Sequence, residues 1–130
     1  MRAAVLSTGD EILLGDIVDT NSSYLCRALQ ETGIEVVQTR AVGDCLEEIA
    51  SALSAISRQA EICVVSGGLG PTQDDRTAQA AALAAGVPLE TDAEALEQIR
   101  TYFNDKGFEW IAENEKQALI PKGAVVLYNQ

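Results

Sequence analysis

The segment Gly67-Gly68-Leu69-Gly70-Pro71-Thr72-Gln73-Asp74-Asp75-Arg76-Thr77 holds the densest set of residues that could do chemistry. Its glycines and proline let backbone amides approach a ligand without side-chain obstruction, and Thr72 and Thr77 add hydroxyl donors, which together describe a phosphate cradle. The string is neither a P-loop, which ends in Gly-Lys-Ser/Thr, nor the GxGxxG dinucleotide spacing. Asp74 and Asp75 can cap a helix start, but two adjacent acids exceed that need. Two more acidic loops follow apolar runs: Ser7-Thr8-Gly9-Asp10-Glu11, which reads equally as a solvated turn, and Gly43-Asp44, where Asp44 and Glu47 resemble a capping box. If the three loops meet at one sheet edge, carboxylates beside a phosphate cradle repel the ligand unless a divalent cation, Mg²⁺ or Mn²⁺, bridges them. Arg76 and Lys116 are then available to offset the remaining charge.

Composition narrows the chemistry further. Twenty acids against nine bases give a net charge of -11 over 130 residues. Such a field repels nucleic-acid backbones and anionic lipid, so neither nucleic acid nor a membrane is an expected partner. With no histidine, Ser-His and Cys-His nucleophile pairs are excluded, and any metal must be held by oxygen. Cys26, Cys45 and Cys63 are odd in number and lack CxxC spacing, so they are expected to be reduced and structural. No apolar run reaches the roughly 20 residues of a membrane span, and Met1 to Leu6 turns polar at Ser7, too soon for a signal peptide. A cytoplasmic location is expected.

The elements that must position these loops alternate short apolar runs with helix-period segments, the pattern of strand-helix units around a parallel sheet. Ala3 to Leu6 reads as a first strand. Asp19-Thr20-Asn21 offers caps for a helix carrying Tyr24, Leu25, Ala28 and Leu29 that stops at Gly33. Ile34 to Val42 reads as a strand, and Asp44 is expected to cap a helix running to about Gln59. Ile62 to Ser66 is a β-branched, charge-free strand that leads straight into the glycine segment. An alanine-rich helix, Thr77 to Ala85, ends at Gly86, and Asp92 caps another that fades at Asn104 to Gly107. A short helix is expected near Asn114 to Ala118, and Ala124 to Leu127 reads as a last strand. The chain forms one domain, and ending on a strand without a covering helix makes it look like a fragment of a longer chain.

Together the strings Thr8-Gly9-Asp10-Glu11-Ile12-Leu13-Leu14-Gly15, Asp19-Thr20-Asn21, Val42-Gly43-Asp44, Ser66 to Thr77, and Asn114-Glu115-Lys116-Gln117-Ala118 with Pro121 resemble the N-terminal domain of the CinA family of competence/damage-inducible proteins, within the molybdopterin-binding (MoaB/Mog-like) superfamily. The resemblance spans essentially the whole chain in order. It implies a three-layer α/β/α sandwich around a mostly parallel sheet, and metal-dependent hydrolysis of ADP-ribose at its diphosphate. Residues matching the superfamily's functional aspartates are Asp75 and Asp44, expected to hold the divalent ion with Asp10, while Glu11 is a secondary ligand or the base. Thr8, Gly9, Gly67, Gly68, Gly70, Thr72, Thr77 and Lys116 are the expected ligand and phosphate contacts. The Leu69-Gly70-Pro71-Thr72 form favours this branch over the cofactor-synthesis branch. Two other functions stay open: a pterin- or nucleotide-binding module of molybdenum-cofactor synthesis, and a non-catalytic assembly domain. A nucleotide or pterin phosphate is the expected ligand, and a homo-oligomer the expected assembly. The family continues past the last strand into a Gly-Thr-Ala-Pro-Gly type loop that completes the ligand site, and Tyr128-Asn129-Gln130 ends just before it.

Overall fold

The computed structural model describes residues 1–128; Asn129 and Gln130, the approach to that expected loop, lie outside the described residues. Strand β1 (Arg2–Thr8) is the centre of a three-stranded parallel sheet, flanked by β2 (Glu35–Val42) on one side and β3 (Ile62–Ser66) on the other. The chain reaches β2 through a short helix α1 (Asp10–Leu13) and then α2 (Thr20–Glu31), and reaches β3 through α3 (Leu46–Ile56). Moving outward from β1 and then back across it with right-handed crossovers puts α2 and α3 on opposite faces. Helix α4 (Thr77–Ala85) packs beside α3. This is the expected three-layer α/β/α arrangement around a mostly parallel sheet.

Strand residues 3 to 8 are buried because β1 has a neighbour on each edge and helices on both faces. Ala4, Leu6 and Val42 meet Ile49, Ala50, Ala52 and Ile56 of α3 and Ala80 of α4 in one cluster. Small side chains at Ala50, Ala52 and Ala80 let the two helices lie close, so the alanine-rich sequence of α4 is a packing device. A smaller antiparallel pair, β4 (Leu89–Thr91) with β5 (Leu119–Pro121), joins helix α5 (Ala93–Lys106) and a 3-10 helix (Ala112–Ala118) to this core. Among the described residues no helix is long and apolar enough to cross a membrane.

Three local expectations change. Ala124 to Leu127 forms no strand: Val125 and Leu127 are 83% and 85% exposed. The pairing falls earlier, at Leu119–Pro121, where Lys122 N donates to Pro88 O at 2.8 Å and a turn closes from Ala124 N to Pro121 O. Asp44 does not cap α3; Cys45 holds that position without a side-chain bond, because the Asp44 carboxylate is engaged with Asp10. Asp75 does not cap α4 either, whose cap residue is Arg76. Asp19 and Asp92 do cap α2 and α5, accepting from Ser22 N and Ala95 N, and Gly86 and Gly107 close α4 and α5 in the left-handed conformation.

Ile49→Ala, at a site 1% exposed, should cost about 2–5 kcal/mol of unfolding free energy by deleting buried methyl groups and leaving a cavity. Val125→Ala should stay within about 0.5 kcal/mol of the parent. Chemical denaturation checks both, and a large loss at Val125 would mean that the tail is packed after all.

Candidate functional site

The connection reverses direction across the sheet beside β1, so the topological switch point lies between β1 and β3, where open α/β sheets form ligand crevices at their carboxyl ends. Ser7 and Ser66 are register partners, and the strands deliver Thr8-Gly9 and Gly67-Gly68 side by side. Gly67 and Gly68 have φ of 96° and 65°, a region that side chains disfavour. Space also requires glycine: a Cβ at Gly67 would strike the Thr8 carbonyl, and one at Gly68 would strike the hydroxyls of Thr77 and Thr8.

Thr8 and Thr77 are buried beneath the loop. Their hydroxyls hydrogen-bond each other at 3.1 Å, Thr77 Oγ1 donates to Gly67 O at 2.7 Å, and Thr77 N donates to Gly68 O at 3.1 Å. The structure therefore places both threonines as supports of the cradle floor rather than on its open side. Gly9 is likewise buried, its amide donating to Val42 O at 3.0 Å. Above this floor, the amides of Gly68 and Leu69 donate to no acceptor among the described residues.

The far half of the loop is organised by Asp75. Its Oδ2 accepts from Thr72 N at 3.0 Å and from Thr72 Oγ1 at 2.7 Å, and Gly70 leaves room for the carboxylate. Burial pushes the Asp75 carboxyl up, but the Thr72 hydroxyl and amide, the Gly70 amide and the Lys116 charge outweigh it and hold it below the usual carboxylate range. Lys116 Nζ donates to Thr72 O, and Gln117 Nε2 donates to Leu69 O at 3.5 Å. The 3-10 helix thus contacts the loop at both ends. A cleft of about 490 Å³ opens there, mainly apolar, with Leu69, Gly70, Asp75, Lys116 and Gln117 among its walls.

Across the crevice, Asp10 and Asp44 pair reciprocally. Asp44 N donates to Asp10 Oδ1 at 3.0 Å, and Asp10 N donates to Asp44 Oδ2 at 3.4 Å; Gly43 has no side chain to block Asp10. Burial, joined by the charges of Asp10, Glu11 and Asp74 and opposed by the Asp10 amide bond, pushes the Asp44 carboxyl up. Among the described residues no three of His, Cys, Asp and Glu gather closely enough to hold a metal ion. Asp10, Asp44 and Asp75 are therefore not assembled as one ligand set, because Asp75 is tied to its own loop. From that loop it is the charge of Asp74 that acts on Asp44.

One network was not visible in the residue pattern. Ser7 Oγ and Ser22 Oγ both donate to Asp19 Oδ2 at 2.6 Å, and Asn21 Nδ2 donates to Ser66 Oγ at 3.0 Å, which fastens the start of α2 to the ends of β1 and β3. Burial pushes the Asp19 carboxyl up, yet the Ser22 and Ser7 hydroxyls and the Ser22 amide hold it below its ordinary range. Cap spacing identifies Asp19; its partner Ser7 lies twelve residues back, beyond any local rule.

The family model described as "Probable molybdopterin binding domain" matches residues 4–127, and the chain belongs to that family, in its CinA-like branch. A CinA-like protein of Citrifermentans bemidjiense is 45% identical over 129 residues, 99% of this chain and 31% of the relative. The chain spans about a third of the length of the curated relatives it matches. The crystal structure of the protein CinA from Thermoplasma acidophilum matches with a TM-score of 0.87 and 34% identity, over 94% of this chain and 71% of that one. The molybdopterin biosynthesis enzyme MoaB from Thermus thermophilus matches with a TM-score of 0.60 and 22% identity, over 77% and 62% of the two chains, a likeness of fold.

Asp19 and Asp44 should give opposite pH dependences. The lowered Asp19 stabilises the fold above its unfolded-state pKa, and that contribution is lost as pH falls through the still lower folded value. The raised Asp44 favours the fold below the unfolded value, and that contribution is lost as pH rises through the folded value. Thermal midpoints between pH 3 and pH 8 should show Asp19→Asn losing stability mainly at neutral pH, with the deficit shrinking in acid. Asp44→Asn should match or exceed the parent at neutral pH and lose that advantage in acid. Parallel curves for the two variants would contradict the assignment.

Proposed function

We propose that this domain binds a nucleotide through its diphosphate and hydrolyses the phosphoanhydride bond, with ADP-ribose as the substrate and a divalent cation as cofactor. The observation that carries the reading is the pairing, at one switch point, of the free Gly68 and Leu69 amides with the Asp10–Asp44 carboxylates across the crevice. Oriented amides recognise phosphate oxygens, and the carboxylate pair needs a cation before an anionic ligand can approach.

The residues present fit such an ion in one mode. Mg²⁺ is commonly held by one or two carboxylates completed by substrate phosphates and water; Asp10 and Asp44 supply the carboxylates, and the charges of Glu11 and Asp74 strengthen the field. When bound, the ion supplies Lewis-acid polarisation of the phosphate oxygens. The chain's own work is positional: Gly68 and Leu69 orient the diphosphate, Lys116 offsets charge beside Thr72, and the apolar cleft takes the nucleoside. Glu11 is the group assigned to accept the proton of the attacking water.

A second reading, a pterin-phosphate binding module, is favoured by the family match over residues 4–127 and by the same cleft, whose apolar walls suit either ring system. Incubation with ADP-ribose and Mg²⁺ or Mn²⁺ should release AMP and ribose 5-phosphate. Asp44→Asn should slow this by at least about a hundredfold, while Asp92→Ala, altering only the cap of α5, keeps the parent rate. Ligand binding without any product under either metal would replace the hydrolase reading by the pterin one.

A further inference from the structure

The glycine loop is divided. Its near half, Gly68 and Leu69, presents unpaired amides, while in its far half the Thr72 amide and hydroxyl already serve an anion, the Asp75 carboxylate. Gly70 has no side chain where that carboxylate sits, so the third glycine of the motif accommodates the chain's own acid. Lys116 reaches the same turn through Thr72 O, and both Asp75 and Lys116 line the cleft.

We propose that Asp75 is a specificity-determining residue: it occupies the phosphate-binding donors of Thr72 as an internal anion and so excludes bare phosphates while admitting a diphosphate that carries its own divalent cation. The inference rests on the diphosphate reading above. A phosphate that engages the whole loop must take the Thr72 donors, exchanging one charge-assisted set of bonds for another. The displaced carboxylate remains ionised beside the incoming anion, with one lysine to offset both, and like charges so placed oppose binding. A cation arriving with the diphosphate neutralises part of the ligand's charge and so weakens that opposition. The near half alone holds fewer donors, so a metal-free anion binds there weakly.

The test is calorimetric titration of the parent chain, Asp75→Asn and Asp75→Ala with sodium pyrophosphate, with chelator and then with Mg²⁺. Without metal, Asp75→Ala should bind pyrophosphate at least about tenfold tighter than the parent, the loss of one charge-assisted competitor. Asp75→Asn, which keeps a carbonyl acceptor for Thr72 but no charge, should change in the same direction by less. Mg²⁺ should tighten binding to the parent far more than to either variant. A residue that merely held the loop in shape would weaken binding when removed, so equal or weaker metal-free binding in the folded variants overturns the proposal, as does absence of binding in all three proteins. If Asp75→Ala fails to fold, Asp75→Asn decides alone. ADP-ribose turnover is read separately: tightened pyrophosphate binding without turnover would sink the hydrolase reading and keep the role of Asp75, and turnover with unchanged binding would do the reverse.

Discussion

Everything at the candidate site depends on the close approach of the β3 exit to the β1 exit. Gly67 and Gly68 pass so near Thr8 and Thr77 that no Cβ fits, and the buried hydroxyl pair fixes the turn from below. That contact carries the Gly68 and Leu69 amides to the mouth of the crevice and starts α4 at Thr77, whose alanine face then closes on α3. Sheet order supplies the rest. With β1 in the middle, the acidic loop after β1 and the acid after β2 arrive on one side of the crevice, and the glycine loop arrives on the other.

How much of this was legible in the sequence follows from the range of the forces involved. The strand-helix alternation, the Asp19 and Asp92 caps and the terminating glycines were readable, because period and capping act over a few residues. The Asp44-Glu47 spacing predicts a cap, but the same local pattern serves a residue that pairs with Asp10, thirty-four positions away. Ala124 to Leu127 has strand composition, but pairing depends on what lies alongside. Of the nearby residues, Leu119–Pro121 is the stretch that faces β4. The motif marks Thr8 and Thr77 as expected ligand contacts, and only the fold distinguishes a hydroxyl under the loop from one over it.

Charge has two opposite treatments within one sheet edge. Asp19 is surrounded by hydroxyl and amide donors that outweigh its burial and lower its carboxyl; burial, joined by three other acids, pushes the Asp44 carboxyl up. Both sit at helix approaches after parallel strands, so position alone does not separate them. What differs is the partner: Ser7 and Ser22 satisfy the first, whereas the second has only the Asp10 amide against accumulated negative charge. Asp19 is therefore a structural fastening of α2, and Asp44 is the carboxylate whose situation the proposed cation would improve.

The glycines carry the same lesson into the loop itself. Gly67 and Gly68 are required by Thr8 and Thr77, and Gly70 by Asp75, so a glycine-rich string is fully explained by the chain's own packing before any ligand is invoked. Support for the proposed ligand comes instead from the accounting of donors and acceptors, since convergent polar groups ordinarily find partners. The amides of Gly68 and Leu69 have no acceptor among the described residues, two donors at Thr72 are taken by an acid, and Asp10 and Asp44 stand across the crevice, each accepting from the other's amide. A bare anion satisfies the amides and aggravates the acids; a bare cation does the reverse. A ligand that unites phosphate oxygens with a divalent ion would meet both demands at once, and on the proposed reading the diphosphate and the cation are therefore recognised together.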